Sequence, residues 1–120
     1  MVPEKPKKTI TAEFYRTDAG GEPVRDFLRN ELTPDERKAV GKDIRTVEYG
    51  WPIGMPVCKD LKNGLLEVRT QLPDRTCRIL FSIYGSRMIL LHGFVKKTQK
   101  TPSRELDAAL ERKRHLENRK

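Results

Sequence analysis

The chain has 120 residues, 36% of them hydrophobic and 35% charged, which suits one core needing neither disulfide nor metal and is too short for two large domains. Lysine and arginine outnumber aspartate and glutamate 25 to 17, and the resulting formal charge of +8 favours an anionic partner: nucleic acid, the ribosome or an acidic protein. No apolar run approaches the roughly 18 residues of a membrane span, Cys58 and Cys77 have neither CxxC nor zinc spacing, and the start MVPEKPKK has no apolar leader core. Membrane insertion, a disulfide framework and export are therefore not expected, and the cytoplasm is the expected location.

Residues 1–8, with two prolines and three lysines, are expected to form a disordered basic lead-in to a single domain over 9–116. Thr9 to Thr17 alternates Ile10, Ala12 and Phe14 on one face and reads as a strand. Pro23 then opens a helix with Val24, Phe27, Leu28 and Leu32 on one stripe. Thr33-Pro34-Asp35-Glu36 marks a second helix start, with Thr33 as cap and Glu36 completing a capping box, and Val40, Ile44 and Val47 follow at helical spacing up to Gly50. The run from Tyr49 to Pro56 is rich in glycine and proline and reads as a loop, pinned to the body by Trp51.

Leu65 to Leu72 and Cys77 to Tyr84 alternate as strands around a turn at Pro73-Asp74. Cys77, Ile79, Phe81 and Ile83 share one face; Arg78, Leu80, Ser82 and Tyr84 share the other. The Gly85-Ser86 turn leads into a third strand, Met88 to Val95, apolar enough to be buried on both faces. His92 within it reads as a satisfied core residue. A last helix is expected with Thr101 as cap and Pro102 at its first position, turning Leu106, Ala109, Leu110 and Leu116 inward; from Lys113 the chain is charged and expected to fray, with 117–120 as a tail. The order βααβββα gives an α+β domain with its helices on one face of a small antiparallel sheet.

The chemistry concentrates on the other face. Arg69 and Arg78 lie on adjacent strands opposite the aliphatic stripe, and Lys96, Lys97 and Lys100 leave the neighbouring strand at its end. Arginine grips phosphate with two hydrogen bonds and lysine adds a point charge. That set suits RNA cleavage in which a 2′-hydroxyl attacks its own phosphate, a step needing cations for the developing oxyanion and groups that move two protons. No acidic pair has metal-site spacing, no glycine-rich loop cradles phosphate, and no cofactor or metal is expected. A salt-bridge network of Glu67 with Arg69 and Arg78 is the structural reading of the same residues.

HGFVKKTQKTP, preceded by GLLEVRTQLPDRTCRILF and by YGWPIGMP, resembles the RelE/ParE-type toxins of bacterial type II toxin–antitoxin systems, in particular the HigB-like, phage-derived branch. The resemblance covers about residues 10–115. It implies a RelE/ParE-like fold and a metal-independent endoribonuclease that cleaves mRNA on the ribosome. It also implies silencing by a cognate helix-turn-helix antitoxin. Carried onto this sequence, it makes Arg78, Arg69, Lys97 and Lys100 the catalytic candidates: the arginines as phosphate and oxyanion ligands, and Lys97 or Lys100 as the proton-transfer or electrostatic group. Lys96, Lys59 and Lys62 are candidates for holding the RNA backbone. The chain departs from some relatives in having no tyrosine after Tyr84. The alternatives are a ParE-like gyrase poison without catalysis and a basic nucleic-acid-binding module.

Overall fold

The computed structural model describes residues 7–54, 57–97 and 100–119. Most of the expected lead-in, together with Met55, Pro56, Thr98 and Gln99, lies outside the described residues. The element order is β1 (Thr11–Phe14), α1 (Pro23–Glu31), α2 (Pro34–Gly50), β2 (Cys58–Lys62), β3 (Leu65–Gln71), β4 (Thr76–Tyr84), β5 (Arg87–Lys96) and α3 (Ser103–Glu117). The fold is α+β, and the five strands form one sheet in the order β1-β5-β4-β3-β2.

The local signals act as the sequence suggests at the starts of α1 and α2. Thr33 accepts from the Glu36 amide at 3.2 Å while the Glu36 carboxylate accepts from the Thr33 amide at 2.9 Å, so two otherwise unpaired donors at the start of α2 are satisfied. The stripes of α1 and α2 supply Val24, Leu32, Val40, Ile44 and Val47 to a core that also takes Val68, Cys77, Ile79, Phe81, Met88 and Leu90 from the sheet. Trp51 packs its ring against Phe81 at 6.3 Å, edge on at 76°, and so holds the loop after α2 to this core.

Four expectations need correction. First, a fifth strand, β2, pairs antiparallel with β3. Asn63 and Gly64 both have positive φ, 57° and 78°, which is the left-handed two-residue turn that an Asn-Gly pair supports. Second, the sheet is mixed: β1 runs parallel to β5 in the register Thr11↔Arg87 to Phe14↔Leu90. Arg87 fastens that edge by two hydrogen bonds to Glu13, at 2.8 and 3.0 Å. Third, the helices cover both faces. α3 packs Ala109, Leu106, Leu110 and Leu116 against Leu65, Leu80, Ile89, Leu91 and Phe94, a second core on the side away from α1 and α2. Central strands that are apolar on both faces require such cover. Fourth, α3 begins at Ser103 with Pro102 as its cap and continues through Lys113 to Glu117, because Tyr84 and Lys113 bond Glu117 and His115 bonds Tyr15 and Asp18.

β5 carries a bulge. Phe81 pairs with Leu90 but Leu80 pairs with His92, so Leu91 is the extra residue. Leu91 packs toward α3 and His92 bonds Glu105 and Arg112 of α3, while Gly93 turns back to α1. A Cβ on Gly93 would meet the Phe27 ring at 2.6 and 2.9 Å and Ile79 Cδ1 at 3.0 Å. Gly93→Ala is therefore expected to force α1 off the sheet and to cost about 1–3 kcal/mol in a urea titration.

Both cysteines are buried and free. Burial pushes the Cys77 thiol up to about 12; burial, with Asp60 and Glu67 nearby, pushes Cys58 up to about 11. Since the thiolate is the reactive form, iodoacetamide at mildly alkaline pH is expected to leave the native protein unmodified and to add two adducts once urea is present, as read by intact mass.

Candidate nucleic-acid interface

The register of β3 and β4 puts Arg69 directly opposite Arg78. Strand alternation sends both side chains to the α3 side of the sheet, where Phe94 pairs with Arg78 and Lys96 pairs with Thr76 one step further along. On the same side Lys59 of β2 pairs with Glu67 of β3. α3 packs chiefly over β5 and β4, so Arg69 and Lys59 lie toward the edge it leaves open.

Arg78 and Glu67 have almost no exposed side chain, 2% and 0%, whereas Arg69 keeps 14%. The Arg69 Nε donates to Glu67 Oε1 at 2.6 Å, and Arg78 Nη1 lies 3.5 Å from the same oxygen. Thr101 ties the second carboxylate oxygen in: its hydroxyl donates to Glu67 Oε2 at 2.9 Å and accepts from Arg78 Nη1 at 3.3 Å. This is why Thr101 does not cap α3. Burial lowers the Arg78 pKa from the ordinary arginine value, and the Glu67 carboxylate works in the opposite direction.

The lysines differ in placement. Lys97 and Lys100 are exposed at the exit of β5, Lys96 is half-buried at its end, and Lys59 is exposed on β2. Lys62 is placed differently. It ends β2 with φ of 72°, opposite Leu65 and two steps along β3 from the partner of Lys59, beside the turn where a Cβ on Gly64 would meet Lys113 of α3. The register thus brings Arg69, Arg78, Lys59 and Lys96 to one side of the sheet, leaves Lys62 apart, and puts Lys97 and Lys100 after the end of β5.

His92 is held by α3 on both nitrogens. Nδ1 lies 3.0 Å from Arg112 Nη1 and Nε2 lies 2.8 Å from Glu105 Oε1. A guanidinium only donates, so Nδ1 accepts and the ring proton sits on Nε2, toward the carboxylate. Among the described residues no group of three or more His, Cys, Asp or Glu is placed to hold a metal ion, and no helix is long and apolar enough to cross a membrane. The surface also has a cleft of 560 Å³ along the outer side of α3, lined by residues such as Tyr15, Arg112 and His115 and not by the two arginines. An open, charged face suits a nucleic-acid backbone better than a closed pocket.

The family model described as Phage derived protein Gp49-like (DUF891) matches residues 26–114, well over half of the chain and all of the face just described. The chain belongs to this family. Its Gp49-like domain is of RelE/HigB type. Two Mycobacterium tuberculosis proteins, from strain CDC 1551 / Oshkosh and strain ATCC 25618 / H37Rv, are both called probable endoribonuclease HigB1. This Gp49-like chain is 27% identical to each over 114 residues, spanning 95% of its own length and 90% of theirs.

Glu67 stands where the sequence puts it, in a salt-bridge network with Arg69 and Arg78, and Thr101 does not. Thr101 carries a local signal for a helix cap, and its true partner is 34 positions back along the chain.

Proposed function

We propose that this chain is the toxin of a type II toxin–antitoxin pair, an endoribonuclease that cleaves mRNA on the ribosome. The family and the HigB1 relatives support a toxin ribonuclease. The observation that carries the reading for this chain is the facing pair Arg69 and Arg78, two guanidinium groups sharing one carboxylate on the side of the sheet that carries Lys59 and Lys96. Among the described residues one carboxylate faces these two guanidinium groups, a balance that favours a phosphate beside them.

In the proposed reaction the 2′-oxygen forms a bond to its own 3′-phosphorus and the bond to the following 5′-oxygen breaks. The products are a 2′,3′-cyclic phosphate and a 5′-hydroxyl. The 2′-hydroxyl proton must leave and the 5′-oxygen must gain one. Arg69 and Arg78 hold the phosphate oxygens as charge builds on them, and Lys97 or Lys100 stabilises the leaving oxygen or moves a proton. No step calls for a metal. Lys96 and Lys59 hold the flanking backbone, with Lys62 as an outlying contact. A helix-turn-helix antitoxin encoded beside the toxin would silence it by covering this face or by preventing entry to the ribosome, and the pair would act in the bacterial cytoplasm.

The test is cleavage of a reporter mRNA in a reconstituted translation system by wild type and Lys97→Ala. Cleavage that requires ribosomes and falls in the variant supports the reading. Growth arrest on expression without any RNA cleavage would move the target to gyrase or another enzyme.

A further inference from the structure

Arg69 and Arg78 face each other across β3 and β4, and like charges directly opposite each other weaken a sheet unless an anion intervenes. Glu67 is that anion, with no exposed side chain. How it holds Arg69 is informative. The hydrogen bond to Glu67 comes from Nε, at 2.6 Å, and no bond from a terminal amino group of Arg69 is present among the described residues. An arginine that met its carboxylate with its outer edge would have spent its fork. Here the fork is spared: one edge position is fixed from below and both terminal nitrogens are left to another acceptor.

We infer that Glu67 is a positioning residue for phosphate recognition, gripping Arg69 at Nε so that its two terminal amino groups meet an RNA phosphate together. The inference rests on the reading of this face as an RNA site and names the contact within it. A guanidinium held in advance loses less rotamer freedom on binding, and paired N–H···O bonds recognise a phosphate with defined geometry. The Thr101 hydroxyl on Oε2 of Glu67 completes the support, since it keeps the carboxylate from turning away from Arg69.

The experiment is a double-mutant cycle on binding of a fully 2′-O-methylated RNA, which cannot be cleaved, followed by fluorescence anisotropy. The proteins are wild type, Glu67→Gln, Arg69→Ala and the double variant, each first shown to be folded by circular dichroism. Arg69→Ala is expected to weaken binding about tenfold in the wild-type background and less than about twofold in the Glu67→Gln background, because an ungripped Arg69 contributes little. Where Glu67→Gln does not fold, Glu67→Asp carries the same cycle: it keeps the charge, withdraws the carboxylate by one methylene and is expected to show the same coupling in weaker form. Equal costs of Arg69→Ala in both backgrounds, or wild-type affinity in a folded Glu67→Gln protein, would overturn the inference. Wild type that binds the RNA but cleaves no mRNA with ribosomes present would overturn the proposed reaction and leave the cycle as the test of the grip. No RNA binding by wild type would overturn both.

Discussion

An Arg78→Ala variant is expected to cleave reporter mRNA at least about a hundredfold more slowly than wild type, the usual cost of losing one preorganised donor to a developing oxyanion. The same change is expected to lower stability. Arg78 and Glu67 are both buried, at 2% and 0% exposed side chain, so removing the cation leaves a carboxylate short of one of its two arginines and opens a hole beside it. Breaking such a pair costs about 3 kcal/mol or somewhat more. Two effects from one substitution must be separated, and Arg78→Lys does so. A lysine keeps a charge near Glu67 but cannot offer a fork, so it is expected to recover much of the stability and little of the cleavage. Urea titration and the cleavage assay, run on both variants at a temperature where each is folded, check this. Full cleavage by Arg78→Ala would remove Arg78 from the reacting face.

Phe81→Ala should behave in the opposite sense. Phe81 is fully buried in the middle strand of the five, on the side of the sheet facing α1 and α2, and Trp51 leans edge-on against it. Truncation removes a ring from a packed layer that relaxes only in part, at about 3–5 kcal/mol. Along the strand Phe81 and Arg78 point to opposite faces, and the aromatic lies in a different core from the one beneath α3. RNA binding by the folded fraction is therefore expected to stay within about twofold of wild type, since distant sites without shared partners act independently. A large loss of affinity in folded Phe81→Ala protein would show that the two layers are coupled through the sheet.

What could be read in the chain was what depends on neighbours in sequence. The Thr33 capping box, the strand alternation that sends Arg69 and Arg78 to one side and the Gly85 turn are all local. β2 was missed despite the hairpin signal of Asn63-Gly64 between Leu61 and Leu65, because the charged CKDLK stretch does not look like a strand: it is an edge strand whose exposed side chains face water. The direction of β1 was not legible, as alternation reports faces and not polarity, and its partner lies more than seventy positions away. Nor was the burial of Arg78. Its charge suggests a surface, whereas Glu67 and Thr101, distant in sequence from one another, meet the guanidinium where it sinks into the fold.

The extra residue in β5 shifts which numbers fall on each face and leaves the faces of the residues downstream as an unbroken ladder would have them. Before Leu91, even-numbered positions such as Met88 and Leu90 face α1 and α2; after it, His92, Phe94 and Lys96 face α3. Deleting Leu91 would leave an unbroken alternation in which Leu90 still faces α1 and α2 while His92, Phe94 and Lys96 still face α3, so what the extra residue adds is one more apolar side chain beneath α3. The bulge is thus an insertion the ladder absorbs: its removal would take Leu91 out of the core beneath α3 and leave Lys96 on the side of the arginines it accompanies.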